Sequence, residues 1–183
     1  MANENNLIEN GSFKDRNIDC WNLVQGDPSN LVFHDYTPEK KVVLLEPGQI
    51  LEQSIDASRI GPYRSFLLKI TARASQNRDA TCIGLPELAP ASMQVVEPFS
   101  GVNDSTTLLT VSFSIDSNAG QTPKTLFAQV LDAMQPFEAQ VTFENLPQAL
   151  QGASIRCQTP DCPFPDQARK YLWVTALKVI PLA

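Results

Sequence analysis

Residues 65–75, SFLLKITARAS, alternate between apolar and polar, with Leu67 the one break. Phe66, Leu68, Ile70, Ala72 and Ala74 fall on one face; Ser65, Leu67, Lys69, Thr71, Arg73 and Ser75 fall on the other. A period of two places neighbours on opposite faces of an extended chain, whereas a helix groups residues three and four apart. The first face is apolar and core-bound, and the second is mostly polar and wet. The same pattern recurs over 107–116, where Leu109, Val111, Phe113 and Ile115 oppose Leu108, Thr110, Ser112 and Ser114. It recurs over 139–146, with Val141 and Phe143 flanking Thr142, and over 49–55, with Leu51, Gln53 and Ile55 against Ile50, Glu52 and Ser54. The run VVLL at 42–45 fits a short buried strand. Residues 125–134 suit helix or strand, and Pro123 and Pro136 on their flanks favour strand. Residues 172–180 are apolar on both faces apart from Thr175 and Lys178, as in a central strand that stops at Pro181.

Turn residues separate these runs at 26–30, 46–48, 56–62, 116–123 and 144–154, the last with room for one helical turn. Residues 159–167 hold three prolines and predict a surface loop. The least regular stretch is 84–104, with a short strand over 93–97 and loops on each side. Fourteen prolines against eight glycines break long helices and favour strands joined by loops. No repeat, low-complexity tract or linker divides the 183 residues, so residues 1–183 form a single domain. About ten strands in one domain predict an all-β fold, a two-sheet antiparallel β-sandwich.

The net charge is −6, which argues against nucleic acid, because phosphate binding needs clustered Lys and Arg. Arg73 and Arg78 are followed by Asp79, and Lys40-Lys41 follows Glu39, so these cations read as solvated surface. No apolar run approaches the ~20 residues of a membrane helix. The start, MANENN, is polar and carries no hydrophobic signal region; it fits a cytoplasmic chain or the mature part of an exported one. Of four cysteines, only Cys157 and Cys162 are close. With one histidine in the chain, a zinc site lacks ligands. In an oxidising compartment Cys157 and Cys162 could close a loop as a disulfide; elsewhere free thiols are the default.

The opening segment Asn6-Leu7-Ile8-Glu9-Asn10-Gly11-Ser12-Phe13, followed by Trp21, resembles the first strand of carbohydrate-binding modules of the galactose-binding-like jelly-roll type. Further likeness lies in Gln53-Ser54-Ile55, in Gly61 and Tyr63, and in the alternating run from Phe66 to Ala74 with Arg73. The apolar run at 172–180 takes the place of the family's closing strand, which returns beside the first. The resemblance is closest over residues 6–75. It implies a jelly-roll sandwich and sugar binding. Many relatives hold a structural calcium through acidic residues just after that Phe and in the final strand. Here the corresponding places carry Lys14 and Thr175. Lysine offers a hard cation no oxygen and repels it, so calcium is expected to be absent or bound elsewhere.

No catalytic constellation stands out. Serine or cysteine triads would have to use His34, the one histidine, whose simpler reading is a strand end in solvent. The acidic residues Glu52, Glu97, Glu138 and Glu144 sit in no recognisable pair, and the scattered glycines form no phosphate loop. In sugar binding a pyranose ring stacks its C–H face on an aromatic side chain, which supplies apolar area, while planar polar groups bind its hydroxyls. Trp21 and Trp173 read as core, Tyr63 as packed at a strand start, and Tyr36 as the best exposed aromatic. Arg73, Gln129, Gln140 and Glu144, within or beside the strands, either line a groove with Tyr36 or form the wet face of the sandwich. Few aromatics are left over for a flat platform, which argues against binding crystalline cellulose or chitin. The expected function is non-catalytic, lectin-like recognition of a soluble or cell-surface glycan without a cofactor, as the adhesion part of a larger secreted assembly. The alternative is a structural subunit that binds a protein partner, and an enzyme ranks third. A polar groove with one or two aromatics favours the first; a contiguous exposed apolar patch favours the second. Paired buried carboxylates of raised pKa would favour the enzyme.

Overall fold

Each alternating run of the sequence forms a strand, or enters one, in the computed structural model, which describes residues 5–75, 78, 87–95, 108–130, 133–147, 149–158 and 171–183. In chain order the strands are β1 Asn22–Leu23, β2 Phe33–Thr37, β3 Lys40–Leu45, β4 Ile50–Asp56, β5 Ser65–Ser75, β6 Ala91–Ser92, β7 Gln94–Val95, β8 Leu108–Ser117, β9 Gly120–Gln129, β10 Gln135–Thr142, β11 Leu150–Gln158 and β12 Tyr171–Leu182. They make two six-stranded sheets. The first runs β1-β4-β11-β8-β9-β7 and the second β2-β3-β12-β5-β10-β6. All pairings are antiparallel except β6 with β10. The predicted two-sheet β-sandwich is the fold of the chain.

The apolar faces meet between the sheets. Phe66 of β5, Phe113 of β8 and Phe143 pack edge to face, with centroids 5.1, 5.6 and 6.1 Å apart. All three are buried, as are Leu51, Leu68, Leu109 and Val174 around them. Trp21 is buried against Phe13, as expected of a core residue.

Four local expectations need correction. The opening segment is not a strand. It turns repeatedly, with positive φ at Asn10, Phe13, Arg16 and Cys20, yet it does lie beside the closing strand. Leu7 N–H donates to Val179 O at 2.8 Å, and Leu177 N–H donates to Gly11 O at 3.1 Å. The buried amide of Gln53 copies a strand partner for Glu9, accepting from its N–H and donating to its C=O, both at 2.8 Å. Second, the turn expected over 116–123 shrinks to Asn118 and Ala119, because a tight hairpin needs only two loop residues. Pro123 is carried inside β9, opposite Ser114, where β7 pairs only Leu126 and Phe127 on the other side. An edge position of that kind tolerates a missing N–H. Third, residues 150–154 are not loop. They begin β11, which lies between β4 and β8. Gly152, Ala153 and Ser154 near its start are small, so they carry little strand preference, and a Cβ at Gly152 would lie 2.9 Å from Ile55 O. Close packing there selects glycine. Fourth, β12 runs through Pro181 to Leu182 and bulges between Thr175 and Lys178, where Ala176 has φ +54°.

Of the strand expected over 93–97, β7 covers 94–95; β6, just before that range, is a second short edge strand in the other sheet, and residues 96–97 and the loop at 159–167 lie outside the described residues. The expected turn at 56–62 contains one helical turn, α1 Ala57–Ile60, capped by the Asp56 side chain on Ser58 N–H and ended by Gly61 at φ +56°.

Cys157 is a free, fully buried thiol on the core face of β11; Cys162 lies outside the described residues. Burial pushes the Cys157 thiol up to about 12, from 9.0. The unfolded chain loses this proton near the ordinary value while the folded chain keeps it. The contribution to stability is therefore complete below pH 9 and is lost as pH rises from there toward 12. Thermal melts of the wild type and Cys157→Ala across pH 8–11 are expected to converge as pH rises, with the alanine variant showing the shallower decline.

Candidate functional site at the rim of the second sheet

A cavity of about 450 Å³ opens where the run between β1 and β2 faces the turn between β3 and β4. Gly26, Asp27, Asn30, Leu31 and Val32 form one wall; Leu44, Glu46 and Gln49 form the other, and Arg78 closes the side.

Local hydrogen bonding fixes both walls. Asp27 caps the single 3-10 turn Pro28–Asn30, its carboxylate accepting from Ser29 N–H at 2.9 Å. Asn30 N–H donates to Asp27 O at 3.1 Å, and Leu44 N–H donates to Val32 O at 3.0 Å, which ties this wall to β3. Across the cavity, Gln49 N–H donates to Glu46 O at 3.0 Å, and Glu46 N–H donates to Gln49 Oε1 at 2.9 Å. Gly26 is required where it stands. Its φ is +100°, and a Cβ would lie 2.9 Å from Gln49 Nε2.

The charges are few and placed. Arg78 Nε lies 3.2 Å from Glu46 Oε1, and both side chains are partly exposed. The Ser29 backbone N–H, and then its hydroxyl, hold the Asp27 carboxyl below the usual carboxylate range. The lining thus offers two carboxylates, one guanidinium, two primary amides and an apolar floor of Leu31, Val32 and Leu44. Among the described residues no aromatic side chain lines it, so the small apolar floor stands where an aromatic face is expected for a sugar ring. Such a surface accepts and donates hydrogen bonds to a polyhydroxylated ligand around a small apolar contact.

The floor continues onto the outer face of the second sheet. Val42, Leu44, Met134 and Trp173 form a separate buried cluster there, with Val32, Tyr36 and Tyr171 against it. Trp173 is buried, but in this cluster and not between the sheets. Its indole N–H donates to Ser75 Oγ at 3.2 Å. It lies beside Leu44 on β3 and Arg73 on β5. His34 is no solvent-facing strand end. It sits inside β2, edge-on to Trp173 with centroids 5.2 Å apart. Thr175 Oγ1 is buried on β12 without a hydrogen bond.

Of the residues expected to bind a ligand, Tyr36 and Arg73 share this outer face. Tyr36 is half-buried, and its hydroxyl donates to Glu87; burial, and then Glu87, push its pKa above the ordinary value. Arg73 is only 4% exposed. Gln140 is exposed on β10 opposite Leu67, six residues along the sheet from Arg73, or about 20 Å. Glu144 is exposed just beyond the end of β10. Gln129 ends β9 in the other sheet, opposite Leu108. The five do not converge on one place. Sequence reasoning passed over Asp27, Asn30, Glu46, Gln49 and Arg78. The first four stood in or beside segments assigned to turns. The available signal was a concentration of amides and carboxylates in two turns flanking one hairpin.

Lys14 pairs with Glu39 at 3.8 Å on the surface, while Thr175 is fully buried. Neither offers calcium a carboxylate, and among the described residues no three His, Cys, Asp or Glu side chains gather around a metal position.

Neither a known family nor a curated protein matches the sequence. Solved structures match the fold. The family 61 carbohydrate-binding module TmCBM61, solved with β-1,4-galactotriose, superposes with a TM-score of 0.57 at 8% identity, over 97% of this chain and 99% of that one. The tandem family 22 modules of Paenibacillus barcinonensis Xyn10C give 0.59 at 10% identity, over 98% of this chain and 49% of theirs. The enzymatically active domain of bacteriophage CBA120 tailspike protein 4 gives 0.57 at 14% identity, over 99% of this chain and 23% of its own. The chain therefore spans less than a quarter of that tailspike domain and nearly the full length of the family 61 module. At these identities the likeness defines a fold, the β-sandwich jelly roll of carbohydrate-binding modules.

Proposed function

We propose that the chain is a non-catalytic, lectin-like module that binds a glycan in the rim cavity, as the recognition part of a larger secreted assembly. The observation that carries this reading is the cavity itself, where planar polar groups from two hydrogen-bonded turns surround an apolar floor. Fold likeness to carbohydrate-binding modules supports it by analogy. Tyr36 packs against the cluster that includes Leu44 of the floor, and Arg73 is buried on the same face of the sheet; neither lines the cavity, nor do Gln140 and Glu144. A protein-binding role would call for a contiguous apolar patch. Among the described residues the exposed large hydrophobics are Val24 and Leu88. Acid catalysis in the cavity would need a protonated carboxyl, and the Ser29 hydrogen bonds keep Asp27 ionised.

Asn30 is the side chain to test, because it is exposed and lines the cavity. On a glycan found by array screening, Asn30→Ala is expected to weaken binding about tenfold by calorimetric titration, the worth of one or two hydrogen bonds. Unchanged affinity would move the site elsewhere on the module. A folded protein that bound nothing on a broad array would refute glycan recognition.

A further inference from the structure

We propose that the Glu46–Arg78 ion pair sets the ligand class of the cavity, admitting neutral glycans and turning away those that carry carboxylates or sulfates. This rests on the glycan-binding reading above. Among the described residues of the lining, Asp27 and Glu46 contribute two negative charges and Arg78 one positive charge, a net −1. Among the described residues of the lining, the guanidinium is the group able to grip an anion by its paired N–H fork. It is already held by Glu46 at 3.2 Å through Nε. A uronate or sulfate would either displace Glu46 from Nε or take the outer N–H groups beside it, and in both cases it would sit beside the carboxylates of Glu46 and Asp27, three anions around one guanidinium. A neutral sugar disturbs nothing. Its hydroxyls donate to the two carboxylates and accept from the amide N–H groups of Asn30 and Gln49 and the outer N–H groups of Arg78, while the ion pair stays closed. Because the side chains of Glu46 and Arg78 are 39% and 52% exposed, the discrimination is graded.

The test is an array carrying neutral, uronic, sialylated and sulfated glycans, probed with wild type, Glu46→Gln and the double variant Glu46→Gln/Arg78→Gln. Wild-type hits are expected to be neutral. Glu46→Gln keeps the side-chain shape, frees the guanidinium and brings the lining to zero charge. It is expected to gain on the order of fivefold for uronic glycans relative to neutral ones, a gain that shrinks in high salt. The double variant is expected to lose that gain. Uronic, sialylated or sulfated glycans among the main wild-type hits would overturn the inference while leaving glycan binding intact, whether or not the variants fold. An unchanged profile for a Glu46→Gln protein with a wild-type melting curve would also overturn it. Silence of the wild type across all four classes would overturn the glycan-binding reading itself.

Discussion

Gly11→Ala is expected to destabilise the protein by about 3 kcal/mol or more, seen as a large fall in the urea midpoint and in Tm. The added Cβ would collide with Leu177 O and lie 3.0 Å from Leu177 C. Both are backbone atoms of β12, which no change of side-chain rotamer relieves. The collision falls where the opening segment docks, since Leu177 N–H donates to Gly11 O. Moving the segment away would also strain the neighbouring bonds Leu7 N–H to Val179 O and Gln53 to Glu9. Phe13, two residues on, is fully buried and would lose its seat. Gly120 supplies the control. It has φ +108° but open space where a Cβ would stand. Gly120→Ala is expected to cost only about 1–2 kcal/mol, the conformational part alone. Equal effects from the two substitutions would mean that docking of the opening segment contributes little to stability.

Trp173→Ala is expected to cost about 3–5 kcal/mol, the range for removing a buried Trp. The ring is fully buried in the outer cluster with Val42, Leu44 and Met134, and its removal leaves Ser75 Oγ without the indole donor. It also removes support from Leu44, which belongs to the cavity floor. Glycan affinity is therefore expected to fall in Trp173→Ala although Trp173 does not line the cavity. Trp173→Phe, which keeps most of the volume, is expected to recover most of the stability and affinity. Chemical denaturation read by near-ultraviolet circular dichroism, with calorimetric titration on the folded fraction, separates the two effects. Loss of less than about 1 kcal/mol would mean that the outer cluster is not a second core.

The strands were legible where apolar and polar residues alternate. Over 65–75 the periodicity predicted β5 residue for residue, because its core face is apolar and its outer face mostly polar, although Thr71, Arg73 and Ser75 on the outer face are buried as well. β11 was not legible. Gly152, Ala153 and Ser154 are small, and their place became apparent only with β4 and β8 on either side. Arg73 shows a different difficulty. Its alternation assigned it correctly to the face away from the Phe66 core, but that face is not wet there: Thr71, Arg73 and Ser75 are all buried, so the side chain is nearly inaccessible. Apart from the aromatic Tyr36, the expected binding residues are polar groups within or beside strands, whereas the cavity draws on turns, whose composition signals chain reversal and ligand contact alike.

By itself, then, the sequence determined the strand-rich class, the identity of the core faces and the unsuitability of Lys14 and Thr175 as calcium ligands. Each of these depends on local periodicity or on the chemistry of a single side chain. Tertiary structure alone decided that Asp27, Glu46 and Arg78 share one cavity. Their positions are far apart along the chain, and what joins them is the antiparallel pairing of β2 with β3 and the end of β5. It likewise decided that the opening segment would turn and dock instead of forming a strand, because its partners, Gln53 and the bulged closing strand, reach it only when both sheets have closed.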